Sequence, residues 1–161
     1  MKKLLLLLFA TVLFGCSKDD DQEEMNCCVN YDVSVDVKYV NEDGENLLEI
    51  EDPVRLSDIK VYHKIGSEWK GYFEGHHDIP NSVRIIELEG GKHLRVFLSQ
   101  ETDEKSISET RLVFPGDKDE ILKAEILIDG GLTAVRKLWY KGELAWEFPV
   151  DDSARFITIV R

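Results

Sequence analysis

Val29-Asn30-Tyr31-Asp32-Val33-Ser34-Val35-Asp36-Val37-Lys38-Tyr39 decides the fold class of this chain. Val29, Tyr31, Val33, Val35, Val37 and Tyr39 fall on one side of an extended backbone, and Asn30, Asp32, Ser34, Asp36 and Lys38 on the other. Period-two alternation of β-branched and aromatic residues with polar ones marks a strand that buries one face and wets the other. Asn41-Glu42-Asp43-Gly44 then turns the chain. A four-residue loop, Glu42 to Glu45, sets Tyr39 opposite Leu48 and Val37 opposite Ile50, a register that keeps apolar residues on one face.

Outward from this stretch the pattern repeats. Ile59, Val61, His63 and Ile65 alternate up to Gly66-Ser67, and Trp69, Gly71 and Phe73 alternate with Lys70 and Tyr72. Glu89-Gly90-Gly91 and Tyr140-Lys141-Gly142 each place glycine third in a hairpin loop, where a positive φ is needed. The first sets Ile86 opposite Leu94, and the second sets Leu138 opposite Leu144. Pro115-Gly116-Asp117 and Asp129-Gly130-Gly131 supply further turns, and Phe156 to Val160 reads as a final strand. Residues 117 to 128 alone show helical spacing, through Ile121, Leu122, Glu125 and Ile126. Ile126-Leu127-Ile128 before two glycines nevertheless reads as β. About nine strands in a single domain, residues 29–161, predict an antiparallel β-sandwich of the immunoglobulin-like kind. A lipocalin-like barrel is the alternative, because strand count does not separate closure from stacking.

The N-terminus carries an address. Lys2 and Lys3 precede a run from Leu4 to Phe14 that is apolar but for Thr11. It is too short for a stable spanning helix and has the form of a secretory signal. Its end, Leu13-Phe14-Gly15-Cys16, resembles the lipobox of bacterial lipoproteins. The resemblance implies removal of residues 1–15 and acylation of Cys16 on its thiol and new amine, and two acyl chains suffice for stable anchoring. Residues 16–28 then form the lipidated cysteine and a tether, since Ser17-Lys18-Asp19-Asp20-Asp21-Gln22-Glu23-Glu24 is too charged to bury anything. That run is also similar to the acidic export signal of surface lipoproteins of the Bacteroidota, which implies the outer face of the outer membrane. A plain charged linker reads the same way. Val33 to Gly44, Asp58-Ile59-Lys60-Val61-Tyr62 and Lys137 to Trp146 look like strand and turn patterns of small lipoproteins in that group, and imply no activity.

Twenty basic and 32 acidic residues give a formal charge of −12. Loss of Lys2 and Lys3 with the signal leaves 18 against 32, or −14. Such a surface repels phosphate backbones, so nucleic acid is not an expected partner, whereas neutral glycans and basic proteins meet no barrier.

Motifs for catalysis or metal binding are missing from the sequence. Cys27 and Cys28 are adjacent, a spacing that seldom bridges, and carboxylates around them oppose thiolate formation, so they read as inert. His76-His77-Asp78 is the nearest approach to a metal set, yet adjacent side chains point apart. Asn41, Asp43 and Gly44 match three positions of a calcium loop, but Tyr39 and Ile50 stand where its first and last oxygen ligands belong. There is no Gly-x-Ser-x-Gly elbow. No enzyme, metal or cofactor is expected.

The tryptophans divide. Trp146, alternating with Leu144 and Phe148, and Trp69, alternating with Phe73, read as core. Trp139 shares its face with Lys137, Glu143, Ala145 and Glu147 in the three-residue-loop register. An exposed ring there stacks a sugar, which makes Trp139, Lys137 and Glu143 the candidate ligand-binding residues. A two-residue turn at Lys141-Gly142 shifts the register by one and puts Trp139 in the core with Trp146. The reading is a lipid-anchored, non-catalytic binding module for a glycan or another envelope protein. The alternative is a structural or assembly subunit of an envelope complex.

Overall fold

The computed structural model describes residues 30–161 other than 74, 76–78, 117, 152 and 153. In it the alternating stretch becomes two strands, β1 (Asn30–Asp32) and β2 (Ser34–Val40), in different sheets. Val33 is the crossing point, with its side chain buried and its carbonyl accepting a hydrogen bond from the Leu98 amide at 2.9 Å. The chain continues through a 3-10 turn at Leu56–Asp58, then β3 (Lys60–Ile65), β4 (Glu68–Gly71), β5 (Val83–Leu88), β6 (Gly91–Phe97) and β7 (Ile107–Phe114). It ends with β8 (Lys118–Asp129), β9 (Leu132–Tyr140), β10 (Glu143–Glu147) and β11 (Phe156–Val160).

The larger sheet runs β1-β9-β8-β7-β3-β4, with β10 on the same edge of β9 as β1; the smaller runs β11-β2-β6-β5. The two stack without closing, so the fold is an all-β sandwich and not a barrel. The sheets are mixed rather than purely antiparallel: β1 lies parallel to β9, and β11 parallel to β2. Alternation along one strand states which side is buried and carries nothing about the direction of a neighbour. Both parallel pairs join segments about a hundred residues apart in the chain.

The core fills the space between the sheets. Val35, Val37 and Tyr39 of β2, with Leu94 of β6 and Ile159 of β11, belong to one buried cluster with Val61, Leu112, Phe114, Leu122 and Leu138 of the larger sheet. Tyr39 stacks on Phe114 with ring centroids 4.4 Å apart, a direct tie between layers. Each such side chain contributes about 1.5–3 kcal/mol by leaving water. A bulge in β9 sets the face of its second half. Glu125 pairs with Lys137 but Ile126 pairs with Val135, so Arg136 is the extra residue. Val135 and Leu138 are therefore both buried although three residues apart.

Several local registers differ from the sequence reading. No strand forms at 47–50: Asn46 donates its side-chain amide to the Lys92 carbonyl at 2.8 Å and accepts from the Leu48 amide at 3.0 Å. These local bonds compete with a ladder, and β2 pairs instead with β6 and β11. Leu48 is still buried. Both glycine hairpins have two-residue loops. Leu88 pairs with Gly91 and Tyr140 with Glu143, which puts Ile85, not Ile86, opposite Leu94 and Leu144 opposite Trp139. Lys141 (φ 53°) and Gly142 (φ 83°) are both left-handed, as a type I′ turn requires. Residues 118–129 are strand β8.

Two consequences of these turns are measurable. Gly91 has φ +103°, and a Cβ there would lie 2.8 Å from both carboxylate oxygens of Glu49, which accepts from the Lys92 amide at 2.9 Å. Gly91→Ala should cost about 2 kcal/mol, against about 1 kcal/mol for Gly90→Ala, where the added carbon meets nothing within 4 Å. Paired thermal melts read the difference, and equal losses would show that the Glu49 contact is immaterial. Asp103 Oδ1 accepts from the amides of Lys105 (2.8 Å) and Ile107 (2.9 Å). These backbone donors, Ile107 first, hold its carboxyl below the usual value. A depressed folded-state pKa confers stability that is present above the unfolded value and lost as the pH falls through the folded one. Protection of the Lys105 and Ile107 amides in hydrogen exchange should therefore drop below about pH 4, and Asp103→Ala should abolish that drop.

Candidate binding groove

The bulge and the turns place the sequence-predicted site residues first. Trp139 lies half-buried on the outer face of the larger sheet, between Lys123 of β8 and Leu144 of β10. The Lys123 ammonium stands 5.8 Å from its ring centroid. Lys137 shares that face and pairs with Glu147 at 3.0 Å. Glu143 does not: it sits opposite Tyr140, one residue out of phase with Trp139. The structure thus brings two of the three residues together, and a lysine stands over the ring.

The other tryptophan expectations are corrected in part. Trp146 is buried opposite Leu138, but a second bulge, at Ala145, leaves Leu144 exposed. Phe148, just past the end of β10, is also exposed. Trp69 is half-buried under Lys64 and Arg111, with charge-to-centroid distances of 5.9 and 5.3 Å, and Phe73 is 72% exposed. In each case the strand ends or bulges before the alternation is complete. Cys16, Cys27, Cys28 and His76-His77-Asp78 lie outside the described residues. His63 and His93 are buried strand residues; His93 Nδ1 is 2.8 Å from the Gly91 carbonyl, and its ring meets Phe156 edge-on at 5.3 Å.

A different site opens where the chain crosses between sheets. β1 occupies one half of the β9 edge and β10 the other, and residues 148, 149, 151, 154 and 155, between β10 and β11, lie beside the junction. Between them lies a groove of about 840 Å³. Leu127, Leu132, Ala134 and Trp146 give it an apolar lining, and Phe148, 58% exposed, stands beside Pro149 in its wall. The Phe148 amide donates to the Arg136 carbonyl at 2.9 Å, which carries the β10 edge on to the bulge.

Three aspartates and three arginines complete the lining, and each is engaged. Asp36, 5% exposed, takes two hydrogen bonds from Arg95, Nε to Oδ1 at 2.7 Å and Nη2 to Oδ2 at 2.8 Å. That bidentate contact raises the Arg95 pKa above its usual value. Arg155 donates from Nε to the Ser34 carbonyl at 2.8 Å and from Nη2 to Asp32, with its guanidinium 5.0 Å from the Trp146 ring. Arg136 Nη1 is 3.5 Å from Glu125. Asp151 accepts from the Glu147 amide at 3.0 Å and closes the turn that presents Phe148. The groove lining is neutral within a chain of net charge −12, and it holds three of the seven arginines in the sequence.

Sequence reasoning missed this site because its lining comes from β1, β2, β6, β8, β9, β10 and residues 148, 149, 151, 154 and 155. One signal was present. Asn30, Asp32, Ser34 and Asp36, read as the wet face of a strand, are one wall of the groove. Among the described residues no group of three metal-ligating side chains converges.

The fold and site define an all-β sandwich with a charge-compensated, aromatic-edged groove at the crossing between its sheets. No family model, no curated protein and no solved structure matches the chain.

Proposed function

We propose that this chain is a lipid-anchored lipoprotein of the outer membrane, facing the exterior, that acts as a non-catalytic binding module with the groove as its ligand site. The lipobox-like end at Cys16 and the acidic run after it support the address. The groove supports the binding role, because an apolar lining with a few fixed polar groups is the make-up of a ligand pocket. Its charged groups are held in ion pairs and backbone hydrogen bonds, which suits them to orienting a ligand.

Replacing Cys16 with Ser should move the protein from the membrane to the soluble fraction, and protease added to intact cells should digest the wild-type chain. The binding reading is tested by titrating panels of oligosaccharides and of peptides while following the NMR signals of Ala134 and the Trp146 indole. A ligand moves both; if neither panel moves either signal, the groove is not a binding site. The second reading, an assembly subunit docking by strand addition, rests on β5, an edge strand of the smaller sheet that leaves Ile85 and Leu88 exposed. It predicts that Ile85→Lys abolishes co-purification with an envelope partner.

A further inference from the structure

We infer that the groove takes an uncharged oligosaccharide, an inference that rests on the binding-module reading. The first ground is electrostatic. Arg95 is held by Asp36 through two short bonds, Arg155 by Asp32 and the Ser34 carbonyl, and Arg136 lies near Glu125. An anionic ligand at Arg95 or Arg155 would compete with a carboxylate already in place, and a cationic one at Asp32 or Asp36 would compete with a guanidinium. Neither exchange yields a net new charge pair, whereas a neutral ligand leaves the ion pairs intact.

The second ground is the pattern of polar atoms that remain. A guanidinium carries five N–H donors and a carboxylate about four acceptor sites. Arg95 and Arg155 each use Nε and Nη2 in the contacts above, so each keeps further donors, and the carboxylates keep acceptor sites. Fixed, planar donors and acceptors side by side match vicinal hydroxyls, each of which both donates and accepts. The exposed Phe148 ring, with Pro149 beside it, supplies the flat apolar surface that the C–H face of a pyranose covers. A hydrocarbon would instead strip water from the same charged groups with nothing in exchange.

The third ground is what the neighbouring edge excludes. A peptide adding as a strand needs free ladder groups, and the β9 edge has few. β1 pairs with residues 132–134, Phe148 donates to Arg136, and β10 pairs with residues 137–140. The volume, about 840 Å³, lies in the upper part of the range of roughly 300–1,000 Å³ for small-molecule sites, room for several sugar rings.

The test uses the full-length chain in detergent, with cellotetraose, maltotetraose, mannotetraose, xylotetraose and chitotetraose as neutral probes and tetragalacturonate as the acidic one. At least one neutral sugar should bind with a Kd between about 10 μM and 1 mM, and move the Ala134 and Trp146 signals. Its affinity should change less than about two-fold as the Debye length falls from about 10 to about 3 Å. Phe148→Ala should weaken it at least about ten-fold with the melting temperature unchanged, while Trp139→Ala on the outer sheet face should leave it intact. Tighter binding of tetragalacturonate, a steep salt dependence or an indifferent Phe148→Ala would each overturn the inference. If peptides move the two signals and no sugar does, the sugar inference fails and the binding module stands; if neither class does, both fail.

Discussion

Leu138→Lys should leave the domain unfolded or nearly so. Arg136 is the extra residue of the β9 bulge, and it is why Val135 and Leu138 both reach the core. Leu138 is fully buried within the apolar cluster, so a lysine there must carry its ammonium into the core. Losing the burial of Leu138 costs about 2–3 kcal/mol. Burying an unpaired ammonium costs several more, and Trp146, paired with Leu138, loses its apolar neighbour. Together these reach the roughly 5–15 kcal/mol that hold a domain of this kind folded. Arg136→Ala is the control, since it keeps the bulge and removes only an exposed side chain 3.5 Å from Glu125. It should cost less than about 1 kcal/mol. Urea titrations followed by circular dichroism separate the two. A Leu138→Lys variant that unfolds at the wild-type midpoint would mean that the bulge does not turn Leu138 into the core.

Phe114→Ala should lower stability by about 3–5 kcal/mol. Phe114 is buried at the end of β7, stacked on Tyr39 of the opposite sheet, with the Arg161 guanidinium 5.3 Å from its ring. Truncation removes apolar area and leaves a cavity between the two layers. At about 4 °C per kcal/mol, the melting temperature should fall by roughly 12–20 °C. Val113→Ala, one residue earlier on the outer face, tests whether the loss comes from the layer contact or from strand propensity. It should cost less than about 1 kcal/mol. Equal losses would deny the Tyr39–Phe114 stack its role between the sheets.

The candidate site was far less legible than the fold. Asp32 and Asp36 look like any solvated carboxylates in an acidic chain, because the guanidiniums that hold them come from Arg155 and Arg95, 123 and 59 residues away. Trp139 attracted attention on the assumption of a three-residue hairpin loop. The type I′ turn at Lys141-Gly142 removed Glu143 from its face, yet the bulge kept the ring out of the core. Each single register gives the wrong neighbours; the turn and the bulge together give the observed ones. Phe148 misled for a related reason, since its period-two spacing from Trp146 runs past the end of the strand.

Composition and local spacing by themselves made this an all-strand domain and named a good part of its buried side chains, Val35, Val37, Tyr39, Ile59 and Leu94 among them. Alternation is a property of one strand, and burial of one face follows from it whatever lies alongside. Which strands meet, in which direction, and where a sheet admits an extra residue were settled only when the layers packed. Two parallel pairs, the Arg136 bulge and the groove all depend on segments distant in sequence. Their contacts form because the assembled core leaves those edges adjacent, and no local pattern carries that information.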